Sequence, residues 1–465
     1  MKPWSSTPTT RTIPPRQDGS REPLRILLVA YRFPPQGGGG VQRPAKLVKY
    51  WSRAGHAIAV LTSSRSTVSL EDPTLLADVP ATVERVVVDD PSAYQRLRAL
   101  RRRTSNPLVR RLLTTPTYLV SQTAVPDLVS GWRRPAIRRG LELVATFRPD
   151  VIVVTGPPWT SFLVASSLAD KAGVPLVLDY RDPWTHTYMR LQSGLAAKVL
   201  NPWLERRILR RAPAITAAHR EILRRARAST GPGTRMLWAP NGCDPDDFPH
   251  PPSTPPADRF VLGYTGGFFR WRSPDALLGV LESLLREGRI TPERFRFRMA
   301  GSVNPALERI PRDSALWKIL DVEGYLPHAE SIRLLQSSTV TFVLEADQVG
   351  TNHHTPGKFY EVLQTGRPML LLCPEGVTSR LARRLGGCWI AHPDDERAIR
   401  NVVLDMLERW EKGTPMPQMN REHLRFYDRA HQADRFGRFL GSITGHTAVP
   451  VSAPAPDPAD RQTTR

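Results

Sequence analysis

The chain is poor in cysteine and has no long apolar run, and each shortage excludes a class of protein. Its three cysteines, Cys243, Cys373 and Cys388, are far apart and odd in number, so they form neither a disulfide framework nor a zinc site. No apolar run approaches the ~20 residues that a membrane-spanning helix needs. The segment Met1–Gly19 is polar and proline-rich, without the apolar stretch of a secretory signal. We therefore expect a reduced, cytoplasmic setting.

Lysine is also scarce, although the chain is strongly basic. The formal net charge is +21 over 465 residues, yet only eight of the 65 basic residues are lysine. An arginine bias of this kind is typical of a GC-rich coding genome as well as of a binding surface. Eleven arginines nevertheless fall between Arg96 and Arg139 with a single acid, Asp127. Such a patch suits anionic lipid or phosphorylated ligands, whereas no nucleic-acid-binding motif accompanies it, so we expect no nucleic-acid partner.

The same stretch interleaves arginine with large apolar residues, which predicts a surface that lies on an anionic membrane. Its apolar members are Leu97, Leu100, Leu108, Leu112, Leu113, Tyr118, Leu119 and Trp132. Apolar side chains of this kind can enter a headgroup layer while arginines hold anionic lipid. The protein would then be peripheral on the inner face of the membrane. In the alternative interpretation the leucines pack into a core and the arginines are only solvated.

Short β-branched runs alternate with helical patterns twice along the chain. The first series is followed by a proline cluster, Pro249–Pro256, which predicts an interdomain linker. The predicted strands are Arg25–Ala30, Ala57–Thr62, Arg85–Val88, Val151–Thr155, Leu176–Tyr180, Ala214–Ala217, Met236–Ala239, Phe260–Tyr264, Phe295–Ala300, Ile319–Val322, Val340–Leu344, Met369–Cys373 and Cys388–Ala391. Two such series indicate an α/β protein with two doubly wound parallel sheets, and a ligand that binds between their carboxyl edges.

The predicted domain boundaries follow from these shifts in composition. Residues 1–23 and 446–465 are rich in Pro, Ser, Thr and charge, which predicts disordered tails. Residues 24–248 form the first domain, 249–258 the linker, 259–425 the second domain and 426–445 a C-terminal helix.

A glycine-rich loop, Gly37–Gly40, follows the first strand and precedes a helix predicted from about Val41 to Ala54. The G-x-G-x-x-G pattern of dinucleotide-binding proteins is absent, and the second strand ends without an acid for a ribose diol, which argues against hydride transfer on NAD. Backbone N–H groups at a helix N-terminus still favour a phosphate. We place Pro44 in the first helical turn, where a missing N–H costs nothing.

Several motifs occur in an order that resembles the family-4 glycosyltransferases of the GT-B fold, over residues 24–425. They are the Pro34-Pro-Gln-Gly-Gly-Gly-Gly40 loop, Trp238-Ala-Pro-Asn-Gly-Cys-Asp244, Gly263-Tyr-Thr-Gly-Gly267, Gly324-Tyr325 and Thr355-Pro-Gly-Lys-Phe-Tyr-Glu361. The stretch Asp179-Tyr-Arg-Asp-Pro-Trp184 resembles a bacterial branch of the family. The resemblance implies two Rossmann-like domains that face each other across a cleft. It also implies sugar transfer from a nucleotide-sugar co-substrate with retention of configuration, without a bound metal or other cofactor, to an acceptor that is often lipid-linked.

The resemblance also implies roles for particular residues. Lys358, Arg270 and Arg272 would neutralise the donor diphosphate, whose negative charge grows as the glycosidic bond breaks. Glu361 would accept hydrogen bonds from the ribose hydroxyls. The other residues expected to bind the nucleotide sugar are Gly38, Gly39, Gly40, Arg181, Tyr325, Leu326, Thr355 and Gly357. Independently of the resemblance, the place of Asp182 at the end of a buried strand favours a role as acceptor-side base or as a group that orients the acceptor hydroxyl, with an ordinary strand-capping ion pair to Arg181 as the alternative.

At His353 the sequence departs from the family pattern, which places a sugar-binding Glu eight residues before Glu361. We assign His353 a hydrogen bond to the donor sugar, and we expect no metal at the His353–His354 pair. The departure leaves two alternatives to a glycosyltransferase. One is a catalytically inactive, basic GT-B module that binds membranes or anionic polymers, and the other is a GT-B sugar-nucleotide epimerase.

Overall fold

The computed structural model describes residues 23–64, 71–185, 194–249, 255–268, 272–302, 307–347 and 353–445. Every strand predicted from the sequence is present, with ends that move by at most a few residues. The strands are β1 (Arg25–Val29), β2 (Ala57–Ser63), β3 (Glu84–Val88), β4 (Val151–Gly156), β5 (Leu176–Tyr180), β6 (Ala214–Ala217), β7 (Arg235–Trp238), β8 (Phe260–Gly267), β9 (Phe295–Ser302), β10 (Leu320–Val322), β11 (Val340–Leu344), β12 (Met369–Leu372) and β13 (Cys388–Ala391).

Both sheets are parallel and doubly wound, as the alternation of elements predicts. The first has the order β3-β2-β1-β4-β5-β6-β7 and the second the order β10-β9-β8-β11-β12-β13. The chain therefore reverses its direction of winding between β1 and β4, and again between β8 and β11. In open α/β sheets, ligands bind at this reversal, beyond the carboxyl ends of the strands. The loops after β1, β4 and β8 are thus the first places to look for a site.

The helices cover both faces of each sheet. They are α1 (Gly39–Arg53), α2 (Ala93–Arg103), α3 (Pro107–Leu112), α4 (Thr114–Thr123), α5 (Arg133–Phe147), α6 (Thr160–Ala172), α7 (Leu195–Leu209), α8 (Arg220–Arg227), α9 (Asp275–Arg286), α10 (His328–Gln336), α11 (Gly357–Gln364), α12 (Val377–Leu385), α13 (Glu396–Lys412), α14 (Arg421–Leu424) and α15 (Arg429–Thr444). Short 3-10 turns lie between some of them, such as Pro245–Asp247.

Pro44 lies in the second turn of α1, so its predicted place in the first turn is wrong. The helix begins at Gly39, two residues earlier than the sequence pattern suggests, because Gly38 with φ 93° supports the tight entry. Pro44 has no N–H to donate to the carbonyl of Gly40, which therefore remains open to another donor.

The C-terminal helix α15 packs on the first domain rather than on the second, which precedes it in the chain. Phe436 meets Trp51 of α1 edge to face, with ring centroids 5.2 Å apart. The indole N–H of Trp51 donates to the Ala433 carbonyl at 3.1 Å. Leu440 is fully buried in the same cluster, beneath β1 and β4. The chain thus crosses between the domains twice.

The arginine-rich stretch divides between core and surface. Trp132 is fully buried and donates its indole N–H to the Val88 carbonyl, so its predicted place on a membrane-facing surface is wrong. Leu108, Leu112 and Leu119 of α3 and α4 are instead 70%, 74% and 57% exposed. No helix in the described part of the chain is long and apolar enough to cross a membrane.

Candidate functional site at the interdomain cleft

Arg181 ties together the loops that follow β1, β4 and β5. One terminal nitrogen, Nη1, donates to the Gly40 carbonyl that Pro44 leaves open, and Nη2 donates to the Pro157 carbonyl. Burial and the charge of Arg32 lower the pKa of Arg181 to about 10, although Asp182 raises it. The arginine therefore holds a positive charge at the point where the sheet reverses its winding.

Asp182 and Arg181 do not form the strand-capping ion pair that was the alternative interpretation. Within the described residues the Asp182 carboxylate makes no hydrogen bond and no ion pair, while Arg181 binds backbone carbonyls. A half-buried carboxylate without a partner, beside two arginines, can accept the proton of a hydroxyl group. The role of acceptor-side base remains a prediction.

The second domain presents Lys358 in the first turn of α11 and Glu361 at the start of the second turn. Lys358 Nζ lies 2.8 Å from Glu361 Oε2. Burial raises the pKa of Glu361, but Lys358 and His328 lower it more strongly, to about 2. Glu361 is therefore ionised at neutral pH, as an acceptor of ribose hydrogen bonds must be. The ammonium group beside it stands at a helix N-terminus, where a phosphate is favoured.

His328 joins the two domains next to this pair. Its backbone N–H donates to the Asp72 carboxylate at 3.1 Å, and its ring Nε2 lies 3.2 Å from Asp247 Oδ2. Burial lowers the pKa of His328, but the hydrogen bond to Asp247 and the charges of Glu361 and Asp247 raise it above its usual value. Neither acid was singled out from the sequence, because each is distant from His328 along the chain.

The adjacent histidines separate into an exposed one and an inward one. His353 is exposed, whereas His354 Nδ1 lies 3.0 Å from the buried carboxylate of Glu345. The His354 ring also meets His219 of the first domain edge to face, at 5.3 Å. Burial holds the pKa of His219 well below its usual range, and His354 lowers it further. His354 and Glu345 thus meet His219 of the first domain, and the role of His353 at the donor sugar stays a prediction.

The remaining predicted donor residues lie along the same carboxyl edge. Tyr325 sits against the glycine-rich loop, since a Cβ on Gly37 would be 2.7 Å from its hydroxyl oxygen. Arg272 Nη2 donates to the Gly267 carbonyl at 2.8 Å, after β8. Thr355 is buried, with its hydroxyl 3.5 Å from that of Thr378 at the start of α12.

Few contacts define the other residues that were predicted to bind the nucleotide sugar. Leu326 is partly buried beside Tyr325. A Cβ would meet nothing within 4 Å at Gly39 or Gly357, so neither position is restricted to glycine by its surroundings. Arg270 lies outside the described residues.

Buried lysines of α1 form ion pairs with the segment after β7, residues 242–248, where the chain crosses to the second domain. Lys46 Nζ lies 2.7 Å from both Asp78 Oδ2 and Asp244 Oδ2, and it also pairs with Asp247. These three carboxylates are close enough to hold a metal ion, but the ammonium group already occupies the space between them. The second such group, Asp347, His392 and Asp394, lies on the surface.

Residues 38–242 match the family described as glycosyl transferase 4-like domain. A search of curated proteins finds no significant match. Among solved structures, sucrose-phosphate synthase from Thermosynechococcus elongatus is 14% identical, with a TM-score of 0.60 and alignment over 91% of this chain and 99% of that one.

Two further solved structures share the whole arrangement. Anabaena HepE, solved in complex with UDP and glucose, is 12% identical with a TM-score of 0.55, over 90% of this chain and 97% of that one. An α,α-trehalose-phosphate synthase from Burkholderia vietnamiensis is 12% identical with a TM-score of 0.58, over 90% and 100%. At such identities the likeness concerns the fold alone.

Proposed function

We propose that this GT-B protein, whose residues 38–242 match the glycosyl transferase 4-like domain, is a family-4 glycosyltransferase that transfers a sugar from a nucleotide-sugar donor to an acceptor hydroxyl. The observation that carries the proposal is the Lys358–Glu361 pair near the N-terminus of α11. A cation and an ionised carboxylate at one helix terminus match a diphosphate joined to a ribose.

The finer parts of this proposal rest on the family resemblance. They are a hexosyl donor carried by UDP or GDP, retention of the anomeric configuration, and a reaction without metal or other cofactor. The product would be a cell-surface glycan or another bacterial glycoconjugate. HepE was solved with UDP, so UDP is the first nucleotide to test.

Nucleotide binding tests the donor assignment. UDP and GDP are titrated calorimetrically with EDTA present, and we expect one of them to bind as tightly as without EDTA. Loss of binding on chelation would contradict the metal-independent proposal. No binding of either nucleotide under any condition would contradict the donor assignment itself.

Donor turnover separates the enzyme from its two alternatives. UDP- and GDP-sugars are incubated with the protein, and both free nucleotide and the sugar released are analysed. We expect slow release of nucleotide with the sugar unchanged apart from hydrolysis. An isomerised sugar would indicate an epimerase, and nucleotide binding without any turnover would indicate an inactive binding module.

We also propose that helices α3, α4 and α7 rest on an anionic membrane surface. Helix α4 packs against α2, α3 and α7, and the group exposes large apolar side chains together with arginines. In addition to the leucines of α3 and α4, α7 exposes Leu195, Val199 and Trp203 by 78%, 65% and 55%. Apolar insertion and several basic residues, each contributing about 1 kcal/mol near an anionic surface, would retain the protein reversibly.

Vesicle sedimentation tests this surface. We expect recovery with anionic vesicles at low salt, little recovery with neutral vesicles, and a marked loss in the double variant Leu108→Ser/Leu112→Ser. Val87→Ser is the matched control, because Val87 is equally apolar and 56% exposed but lies on β3. Equal recovery on neutral and anionic vesicles would contradict the proposal.

A further inference from the structure

Two arginines of the first domain meet close to the carboxylate of Asp182. Arg32 lies three residues after β1 and Arg181 directly after β5, and only β4 separates those strands in the sheet. Both side chains reach Gly40, where a Cβ would be 3.3 Å from Arg181 Nη1 and 3.5 Å from Arg32 Nη1. The two guanidinium groups are therefore neighbours at the carboxyl edge of the sheet.

No carboxylate pairs directly with Arg181 among the described residues. Its terminal nitrogens donate to two backbone carbonyls, and its Nε is buried without a hydrogen-bond partner. Those bonds hold the guanidinium in one orientation and leave its charge uncompensated by contact. A fixed, partly desolvated cation of this kind favours an incoming anion.

Charges of both signs surround Arg32. Burial lowers the pKa of Arg32, Tyr31, Asp182 and Asp127 raise it, and Arg98 lowers it further. The carboxylate of Asp127 is already used, since it accepts from the Thr160 N–H at 3.0 Å and from the Thr160 hydroxyl at 2.7 Å. Asp182 is thus a negative charge that Arg32 and Arg181 share.

We propose that Arg32 and Arg181 bind an anionic group of the acceptor, a phosphate or a carboxylate, close to the hydroxyl that faces Asp182. This assignment rests on the proposed function, because it places the acceptor in the cleft of the same enzyme. It defines the acceptor class as a hydroxyl compound whose anionic group stands only a few bonds from the attacked hydroxyl. Arg32 was not a candidate from the sequence alone.

In the proposed transfer step, one bond forms at the anomeric carbon, one bond breaks there, and one proton is transferred. The acceptor oxygen bonds to the anomeric carbon of the donor, and the bond from that carbon to the phosphate oxygen breaks. Its electron pair leaves with the nucleoside diphosphate, and the hydroxyl proton passes to Asp182. The anion held by the arginines fixes the hydroxyl in place and takes no part in bond making.

The test uses the full chain saturated with UDP, so that any phosphate subsite of the donor is already filled. Inorganic phosphate, glycerol 3-phosphate and acetate are titrated calorimetrically at constant ionic strength, the last of these as the carboxylate probe. We expect at least one anion to bind, and Arg32→Ala to weaken that binding by about 10-fold or more. Arg32→Lys keeps the charge without the bidentate geometry and should weaken it less.

Arg85→Ala is the matched control, since Arg85 is an exposed arginine on β3 of the same domain, and it should bind the anions as the parent protein does. UDP affinity in Arg32→Ala should change far less than anion affinity, and thermal melting shows whether each variant is folded. Should Arg32→Ala not fold, the decrease in Arg32→Lys decides.

The other outcomes of this titration distinguish failure of the anion site from failure of the proposed function. Anion binding that UDP abolishes would assign the arginines to the donor phosphate and overturn the inference. No anion binding while UDP binds would overturn the inference and leave the proposed function standing. Anion binding that requires Arg32 in a protein that does not bind UDP would support the anion site and contradict the proposed function.

Discussion

At the scale of single residues, the cleft is built from ion pairs that a ligand would have to use or displace. The Lys358–Glu361 pair is half-exposed, with side-chain exposures of 37% and 17%. Its carboxylate is surrounded by positive charge from Lys358 and His328. If the pair only stabilised the protein, nucleotide affinity would not depend on it. If the pair belongs to the donor site, both residues contact the nucleotide and both contribute to its affinity.

We predict that Lys358→Met and Glu361→Gln each weaken UDP binding, because each removes a charge-assisted hydrogen bond worth about 1.5–3 kcal/mol. Calorimetry measures the change, and thermal melting checks the fold. Lys412→Met is the matched control, since Lys412 forms an exposed pair with Glu408 on α13. Unchanged UDP affinity in both cleft variants would return the pair to a structural role.

We predict that the stabilising effect of His328 declines with rising pH. Its pKa in the folded protein is raised above the ordinary value of 6.5, so its contribution is full below about pH 6.5 and is lost as pH rises through the higher folded value. The groups that face it are Asp247, Glu361, Asp72 and Lys358. The melting temperature of the parent protein relative to His328→Asn should therefore fall from about pH 6 to pH 9.

His431 provides a control of opposite sign for that experiment. Burial, together with Arg435 and Arg438, lowers its pKa. The neutral ring is therefore favoured in the folded state, and the parent protein should gain stability relative to His431→Asn as pH rises through about 6.5. A His328 difference that does not change with pH would show that the Asp247 contact is not ionic.

At the scale of elements, helix α1 forms buried ion pairs both with the central sheet of the first domain and with the segment after β7 that crosses to the second domain. Its buried basic face points at acids from other segments: Arg43 at Asp179 of β5, and Lys49 at Asp244 after β7. Asp179 is fully buried and also accepts from two threonine hydroxyls on the neighbouring strands. Burial raises its pKa, but Arg43 and these bonds bring it below the usual value. The basic residues of α1 are thus engaged in holding the domain together.

We predict that Arg43→Met destabilises the protein by about 3–5 kcal/mol, because it leaves a buried charge without its partner. The double variant Arg43→Met/Asp179→Leu should cost clearly less than the sum of the two single variants, as measured by denaturant unfolding. Arg139→Met removes an exposed pair with Glu142 and should cost about 0–1 kcal/mol. Additive costs in the double variant would contradict a direct buried pair.

At the scale of the whole molecule, the C-terminal helix makes the first domain depend on the last part of the chain. The crossing is close-packed, since a Cβ on Gly242 would be 1.9 Å from the Tyr427 carbonyl oxygen. The N–H of Cys243 donates to that same oxygen at 3.1 Å. The two crossing segments therefore lie side by side at the base of the cleft.

We predict that a chain ending at Asp428 melts at a markedly lower temperature than the full chain, because it uncovers Trp51 on α1. The point variant Phe436→Ala should cost about 3–5 kcal/mol, since its ring is fully buried against that indole. A chain ending at Gly445 keeps α15 and serves as the control. Equal melting of all three chains would show that α15 does not stabilise the first domain.

The strands and their order of occurrence could be predicted from the sequence because they depend on local patterns. Runs such as Val151–Gly156 are apolar throughout, as strands buried on both faces must be. Glycines and prolines between the runs mark the loops. The alternation of strands and helices was therefore sufficient for two parallel sheets. The entry into α1 was misplaced by two residues, because only the backbone shows that Gly38 adopts a left-handed conformation.

The composition of the cleft was decided by the tertiary structure. The sequence pattern singled out His353, and only the structure shows that the neighbouring His354 faces Glu345 and His219. The backbone conformation at these two adjacent histidines decides which side chain points inward, and the sequence pattern does not show that conformation. Arg32 likewise became a candidate only when Gly40 brought it beside Arg181, 149 positions further along the chain.

The sequence by itself therefore determined the two sheets, the position of the cleft and the residues of α11, because hydrophobic runs and helix starts are local. Contacts across the cleft join residues separated by as many as 256 positions, as His328 and Asp72 are. Such contacts depend on how two domains are set against each other by the chain crossing and by α15. Only the tertiary structure could decide them, because a side chain's charged neighbours are fixed by the packing of distant segments.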